Sequence, residues 1–188
     1  MQDAPLAERI IAGKISKIDV LRMVTIGPDG TSSTRFAHSY IGLGLTPVIA
    51  AELNRHTLNA FRELKIVVER FYKYRPFKIR RGTRTLKLNS LLFANINQMA
   101  KVLTLAKKNR PVDGKFEVVS FPAGRKRQLI ARLFRAAVSS LPTTRREKSY
   151  TFEVVKKLPV QLDGEVMTLA KGSKVTVSSA HKALRTVV

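Results

Sequence analysis

The chain has 188 residues, 44% of them hydrophobic, with 35 Lys and Arg against 13 Asp and Glu and a formal net charge of +22. That is enough apolar material for one packed domain, while the lack of cysteine excludes a disulfide framework and a thiolate zinc site. His38, His56 and His181 are too scattered to suggest a ligand cluster, no apolar run reaches the roughly 18 residues of a spanning helix, and Asp3 and Glu8 do not suit a secretory leader. A cytoplasmic protein is expected, and its charge should attract nucleic acid, anionic membrane or another polyanion.

In chain order, Asp3 can cap a short helix from Pro5 through Leu6, Ile10 and Ile11, stopped by Gly13. Residues 1–13 therefore read as a connector and 14–188 as one β domain. Ile15, Ile18, Val20, Leu21, Val24 and Ile26 lead into the turn Gly27-Pro28-Asp29-Gly30 and a second extended run from Thr34 to Tyr40, which predicts a hairpin. Gly42 and Gly44 precede Thr46-Pro47, a helix start. Such a glycine pair can cradle phosphate, but more commonly lets a backbone turn or approach closely. A further helix is predicted from Asn59, with Phe61, Leu64, Val68, Phe71 and Tyr72 on one stripe and Pro76 at its end.

Short strands follow: Phe77 to Arg80, Thr83 to Leu88 and Leu91 to Ile96, separated by turns at Arg81-Gly82 and Asn89-Ser90. Further strands are predicted at Lys101 to Leu105, Lys115 to Phe121, Ser149 to Val155, Val160 to Leu162, Glu165 to Leu169, Ser173 to Ser178 and Ala183 to Val188. So many short strands with Gly and Pro turns predict a mainly β fold, a two-layer antiparallel β-sandwich with a few appended α-helices. One helix interrupts them. Leu129, Ile130, Leu133, Phe134, Ala137, Val138 and Leu141 trace its apolar face, and Arg125, Lys126, Arg127, Arg132 and Arg135 its basic one. Cations at its first turn oppose the helix dipole and call for an anion there. Its apolar face suits either the sheet or a membrane interface.

Two Asp-Gly turns stand out, Pro111-Val112-Asp113-Gly114-Lys115 and Gln161-Leu162-Asp163-Gly164-Glu165, each read alone as a hairpin signal. Taken in order with Asn95 in Leu92-Phe93-Ala94-Asn95, and with Ala12-Gly13-Lys14 through Ile18-Asp19-Val20, they resemble the C-terminal domain of diacylglycerol kinases, sphingosine kinases and related bacterial lipid kinases. The resemblance covers nearly the whole chain. That family's glycine-rich nucleotide loop, Gly-Gly-Asp-Gly-Thr, belongs to an upstream domain and does not occur here; nor does the Gly-Gly pair that often follows the asparagine strand, where this chain reads Ile96-Asn97-Gln98-Met99-Ala100.

The resemblance implies an ATP-dependent transfer of phosphate to a lipid hydroxyl, with diacylglycerol as the default acceptor and a sphingoid base as the alternative. Glu165 would be the general base with Asp163 beside it, and Gly42 and Gly44 would lie near the cofactor cleft. Asp113 would give a carboxylate to a structural Mg2+ site in which Arg110 and Lys115 supply carbonyl oxygens. The flanking Lys107, Lys108, Arg110 and Lys115 weaken such a site by repulsion. The implied partners are a nucleotide-binding domain, in cis or in trans, and anionic membrane lipid at which the protein sits peripherally; a homodimer is left open. Two other readings compete. A nucleic-acid-binding module rests on charge alone, without a recognition motif, and a noncatalytic lipid or protein adaptor would need no nucleotide domain.

Overall fold

The computed structural model describes residues 6–13, 15–44, 75–95, 98–99, 103–104, 112–124 and 144–187. Helix α1 (Leu6–Ala12) ends at Gly13, whose φ of 62° and amide bond to the Ile10 carbonyl, 3.1 Å, form a glycine stop. Strands β1 (Ile15–Ile26) and β2 (Ser32–Ala37) make the expected hairpin. In its turn the Asp29 carboxylate accepts from both the hydroxyl and the amide of Thr31, which lowers its pKa despite slight desolvation. Next come β3 (Tyr40–Gly44), β4 (Phe77–Arg81), β5 (Arg84–Ala94) and a small separate ladder of β6 (Gln98–Met99) with β7 (Leu103–Thr104). The rest are β8 (Phe116–Pro122), β9 (Thr144–Glu147), β10 (Ser149–Val154), β11 (Leu158–Leu162), β12 (Glu165–Leu169) and β13 (Lys174–Val187).

Apart from the small ladder, the strands form one antiparallel sheet in the order β12-β11-β3-β5-β4-β10-β13-β1-β2, with a branch from β5 through β8 to β9. The mainly β expectation holds, and its layers are parts of one curled sheet. Strand β5 is where the sheet divides. Its first half pairs with β4, then its register with β8 shifts between Leu88 and Ser90, and its second half lies between β3 and β8. Since β9 runs into β10 through Lys148, both branches wrap the same interior. Arg81 ties them together, pairing with Glu147 at 2.9 Å and resting 4.0 Å from the centroid of the Tyr150 ring.

Alternating inward residues build that interior. Leu21 and Met23 of β1, Ile41 and Leu43 of β3, Ile79 of β4 and Val175 and Val177 of β13 are all buried. They surround an aromatic cluster in which the Phe93 ring lies 5.9 Å from Phe116, 5.2 Å from Tyr150 and 6.4 Å from Phe152. Each fully buried side chain of this kind contributes about 1.5–3 kcal/mol, and edge-to-face rings add to that. Leu92, Ala94 and Val119 form a second buried cluster on the opposite face of β5 and β8, which is why the end of β5, Leu91 to Ala94, reads as an unbroken apolar run rather than an alternating one.

Three strand expectations change. Asn89-Ser90 is not a turn: β5 runs straight through it, and the Asn89 side chain donates to the Pro122 carbonyl across the register shift, 3.2 Å. The two strands expected at Ser173 to Ser178 and Ala183 to Val188 are one strand, β13, interrupted by a bulge. Strand β9 was not anticipated. The helices expected from Thr46, from Asn59 and over Leu129 to Leu141 lie outside the described residues.

Candidate functional site

Polar residues of the resemblance gather at one end of the sheet. The Asp163-Gly164 turn joins β11 to β12, and Asp163 adopts the left-handed region at φ 46°, which an Asp tolerates better than most residues. Its carboxylate reaches across to the corner between β2 and β3. One oxygen accepts the Ser39 and Tyr40 amides at 3.0 and 2.9 Å; the other accepts the His38 amide at 2.6 Å and meets His38 Nδ1 at 2.7 Å. Three amides converging on one carboxylate make a preformed nest for its charge. The Asp163 amide returns a bond to the Tyr40 carbonyl, 3.2 Å. Burial, and then the charge of Asp163, raise the pKa of the Tyr40 phenol.

Asp163 is thus held by β2 and β3, with both carboxylate oxygens engaged at the His38-to-Tyr40 corner. Glu165 begins β12 opposite Leu162 and is exposed, and its side chain makes no hydrogen bond or ion pair with any described residue. The nest fixes the turn, and the turn leaves Glu165 facing water.

A second carboxylate at the same end was missed as a functional residue. Asp19 is fully buried in β1. Between the pairs Ile18/Leu184 and Val20/Ala180 it faces three residues of β13: His181, Lys182 and Ala183. One oxygen accepts the Lys182 amide at 2.7 Å and contacts His181 Nδ1 at 2.8 Å; the other accepts the Gly114 amide at 2.6 Å. A buried acid is tolerable only when its lone pairs are filled in this way. Asp19 therefore pins the bulge, where Lys182 sits at φ 50°, to the Asp113-Gly114 turn. Asn95 joins the two carboxylate centres: its side chain donates to the Asp19 carbonyl, 2.6 Å, and its amide to the Ser39 carbonyl, 2.8 Å.

Asp113 itself is engaged elsewhere. Its Oδ1 accepts the Lys115 amide, 3.1 Å, and its Oδ2 pairs with Arg146 Nη2. Arg146 Nε also meets the buried Glu117, 3.1 Å. Burial acts to raise the Asp113 pKa, but the Arg146 hydrogen bond and charge, with the Lys115 amide and charge, outweigh it and hold the carboxyl below its ordinary range. Arg146 moves the other way, its pKa raised chiefly by the bond to Asp113. The Asp113 carboxylate thus already carries a guanidinium, which a structural Mg2+ at this turn would have to displace. Arg110 lies outside the described residues, and Lys115 is exposed.

The remaining candidates separate cleanly. Gly42 and Gly44 are buried within β3, flanked by β5 and β11. A Cβ on Gly44, at φ 83°, would come 2.3 Å from the Phe77 ring and 2.6 Å from the Asn89 carbonyl oxygen, so close packing alone requires this glycine. Arg125, Lys126, Arg127, Arg132 and Arg135 lie outside the described residues. His38, His181 and Arg146 were also missed. The two histidines gave no sequence signal, because their partners, Asp163 and Asp19, lie 125 and 162 positions away along the chain. No helix among the described residues is long and apolar enough to cross a membrane.

No family model and no curated protein matches the sequence. Solved structures do match the fold. The crystal structure of a diacylglycerol kinase from Bacillus anthracis str. Sterne superposes with a TM-score of 0.63 at 12% identity, covering 96% of this chain and 59% of that one. Two further structures from the same organism, assigned as diacylglycerol kinases, give TM-scores of 0.62 and 0.63 at 12% identity, with 96% of this chain and 58% of theirs covered. At that identity the likeness establishes the fold. The chain spans 58–59% of the length of these structures.

Proposed function

We propose that this chain is the C-terminal half of an ATP-dependent lipid kinase, forming the lipid-facing wall of a cleft whose other wall, with ATP and its Mg2+, comes from a nucleotide-binding domain in cis or in trans. The observation that carries this reading is the extent of the fold likeness: it takes in 96% of this chain but only 58–59% of the kinases. Glu165 is the general base. Its carboxylate takes the proton of a diacylglycerol-like hydroxyl while that oxygen attacks the γ-phosphorus and ADP leaves. Asp163 acts through position, since its bonds to the β2-β3 corner fix the turn from which Glu165 projects. Gly42 and Gly44 lie in β3 near the cleft, where Gly44 lets the strand pack closely against Phe77 and Asn89. The basic residues Arg125, Lys126, Arg127, Arg132 and Arg135 hold the enzyme at anionic lipid, where each cation near the surface contributes about 1 kcal/mol.

Transfer of labelled phosphate from ATP to diacylglycerol in mixed anionic vesicles tests the reading, using the chain alone and then with a nucleotide-binding domain from a related kinase. Activity is expected only in the mixture, and Glu165→Gln should lower it on the order of 10²-fold or more. Full activity in that variant would remove Glu165 from the chemistry. Removing the charges of Arg125, Lys126 and Arg127 together should weaken binding to anionic vesicles and leave neutral ones unaffected; equal loss on both would point to damaged folding.

A further inference from the structure

The Asp113-Gly114 turn is held from two sides. From within, Asp19 accepts the Gly114 amide at 2.6 Å. From outside, a single guanidinium from β9 spans two carboxylates four residues apart, Nη2 on Asp113 and Nε on Glu117 at 3.1 Å. The register of β8 and β9, in which Glu117 stands opposite Arg146, delivers that guanidinium to the turn. Glu117 is nearly buried, its side chain 3% exposed, so a positive charge beside it is a structural requirement more than a surface ornament.

A divalent ion would compete for the same oxygens. Mg2+ requires near-octahedral oxygen ligands at about 2.0–2.1 Å and gives up its waters reluctantly. Here Asp113 Oδ2 and Glu117 Oε1 both point at Arg146, while Asp113 Oδ1 accepts the Lys115 amide. A planar fork that stays charged at every working pH suits two separated carboxylates better than a compact ion does. We propose that Arg146 is the built-in cation of this turn, a guanidinium standing between Asp113 and Glu117 where a divalent ion would otherwise sit, so that the domain folds independently of Mg2+. The inference concerns folding and is independent of the kinase reading. It also implies that any Mg2+ requirement of a reaction built on this domain arises with the nucleotide.

Thermal unfolding of the full chain tests it, in 1 mM EDTA and then in rising MgCl2 or CaCl2 with ionic strength matched by NaCl. Wild type should keep the same midpoint to within about 1 °C, whereas a site of millimolar affinity at tenfold excess would raise the midpoint of a chain this size by about 3–6 °C. A saturable rise in wild type that Asp113→Asn abolishes would overturn the proposal. Arg146→Met, which keeps the aliphatic stem, should melt several degrees lower and recover part of that loss in MgCl2. An unchanged midpoint in Arg146→Met would also overturn it. Should that variant fail to fold, the wild-type titration still decides.

Discussion

Two turns of nearly the same local sequence, Val112-Asp113-Gly114-Lys115 and Leu162-Asp163-Gly164-Glu165, have opposite arrangements around their carboxylates. At Asp163 the main chain of a distant corner takes the charge, through three amides and His38. The acid two residues on, Glu165, is left exposed and unpaired among the described residues. At Asp113 a charged side chain takes the carboxylate, and the equivalent acid position holds Lys115. The Asp-Gly signal reports only a chain reversal. Whether the turn then presents a reactive group or anchors strands depends on the long-range partner that the sheet brings to it.

The same substitution in both turns measures that difference. Asp163→Asn puts an NH2 group where backbone N–H donors converge, so at least one donor faces a donor. The expected loss is about 2–3 kcal/mol, which lowers the unfolding midpoint of a chain this size by roughly 5–10 °C. On the proposed kinase reading the reconstituted protein should lose rate as well, because Glu165 is no longer held in place. A midpoint within about 2 °C of wild type would mean that the corner holds without the carboxylate, and the contrast between the turns would collapse.

How much of this was readable in advance follows from the range of each interaction. The β1-β2 hairpin was legible because alternation and the Gly27 to Gly30 turn are local signals. Continuity of β5 through Asn89-Ser90 was not, since turn-forming residues are kept extended by Asn89 bonding to Pro122. Strand β13 looked like two strands because its bulge, with His181 and Lys182, is held by Asp19 from the far end of the chain. Arg-rich β9 lacks strand patterning altogether and is a strand through its ladder with β8, alongside which Arg146 pairs with Glu117 and Glu147 with Arg81. At the site, Asp163, Glu165 and Asn95 were named through the resemblance, but what Asp163 and Asn95 bind could only come from the folded sheet.

The smaller effect, at Asp113, is also the one with a pH signature. Asp113→Asn leaves Arg146 bonded to Glu117 and removes one partly exposed ion pair, a loss of about 0.5–1 kcal/mol. The Asp113 carboxyl is held below its ordinary value in the folded chain, so its stabilising effect is present above the unfolded pKa of about 3.9 and disappears as pH falls through the folded pKa. The difference in stability between wild type and Asp113→Asn should therefore be constant from about pH 5 to 7 and shrink below about pH 4. Denaturant titration of both proteins across that range measures it, with effects common to the whole charged chain cancelling in the difference. A gap that stayed constant down to pH 3 would assign the loss to packing or to the Lys115 amide, and would take the ion pair with Arg146 out of the account of this turn.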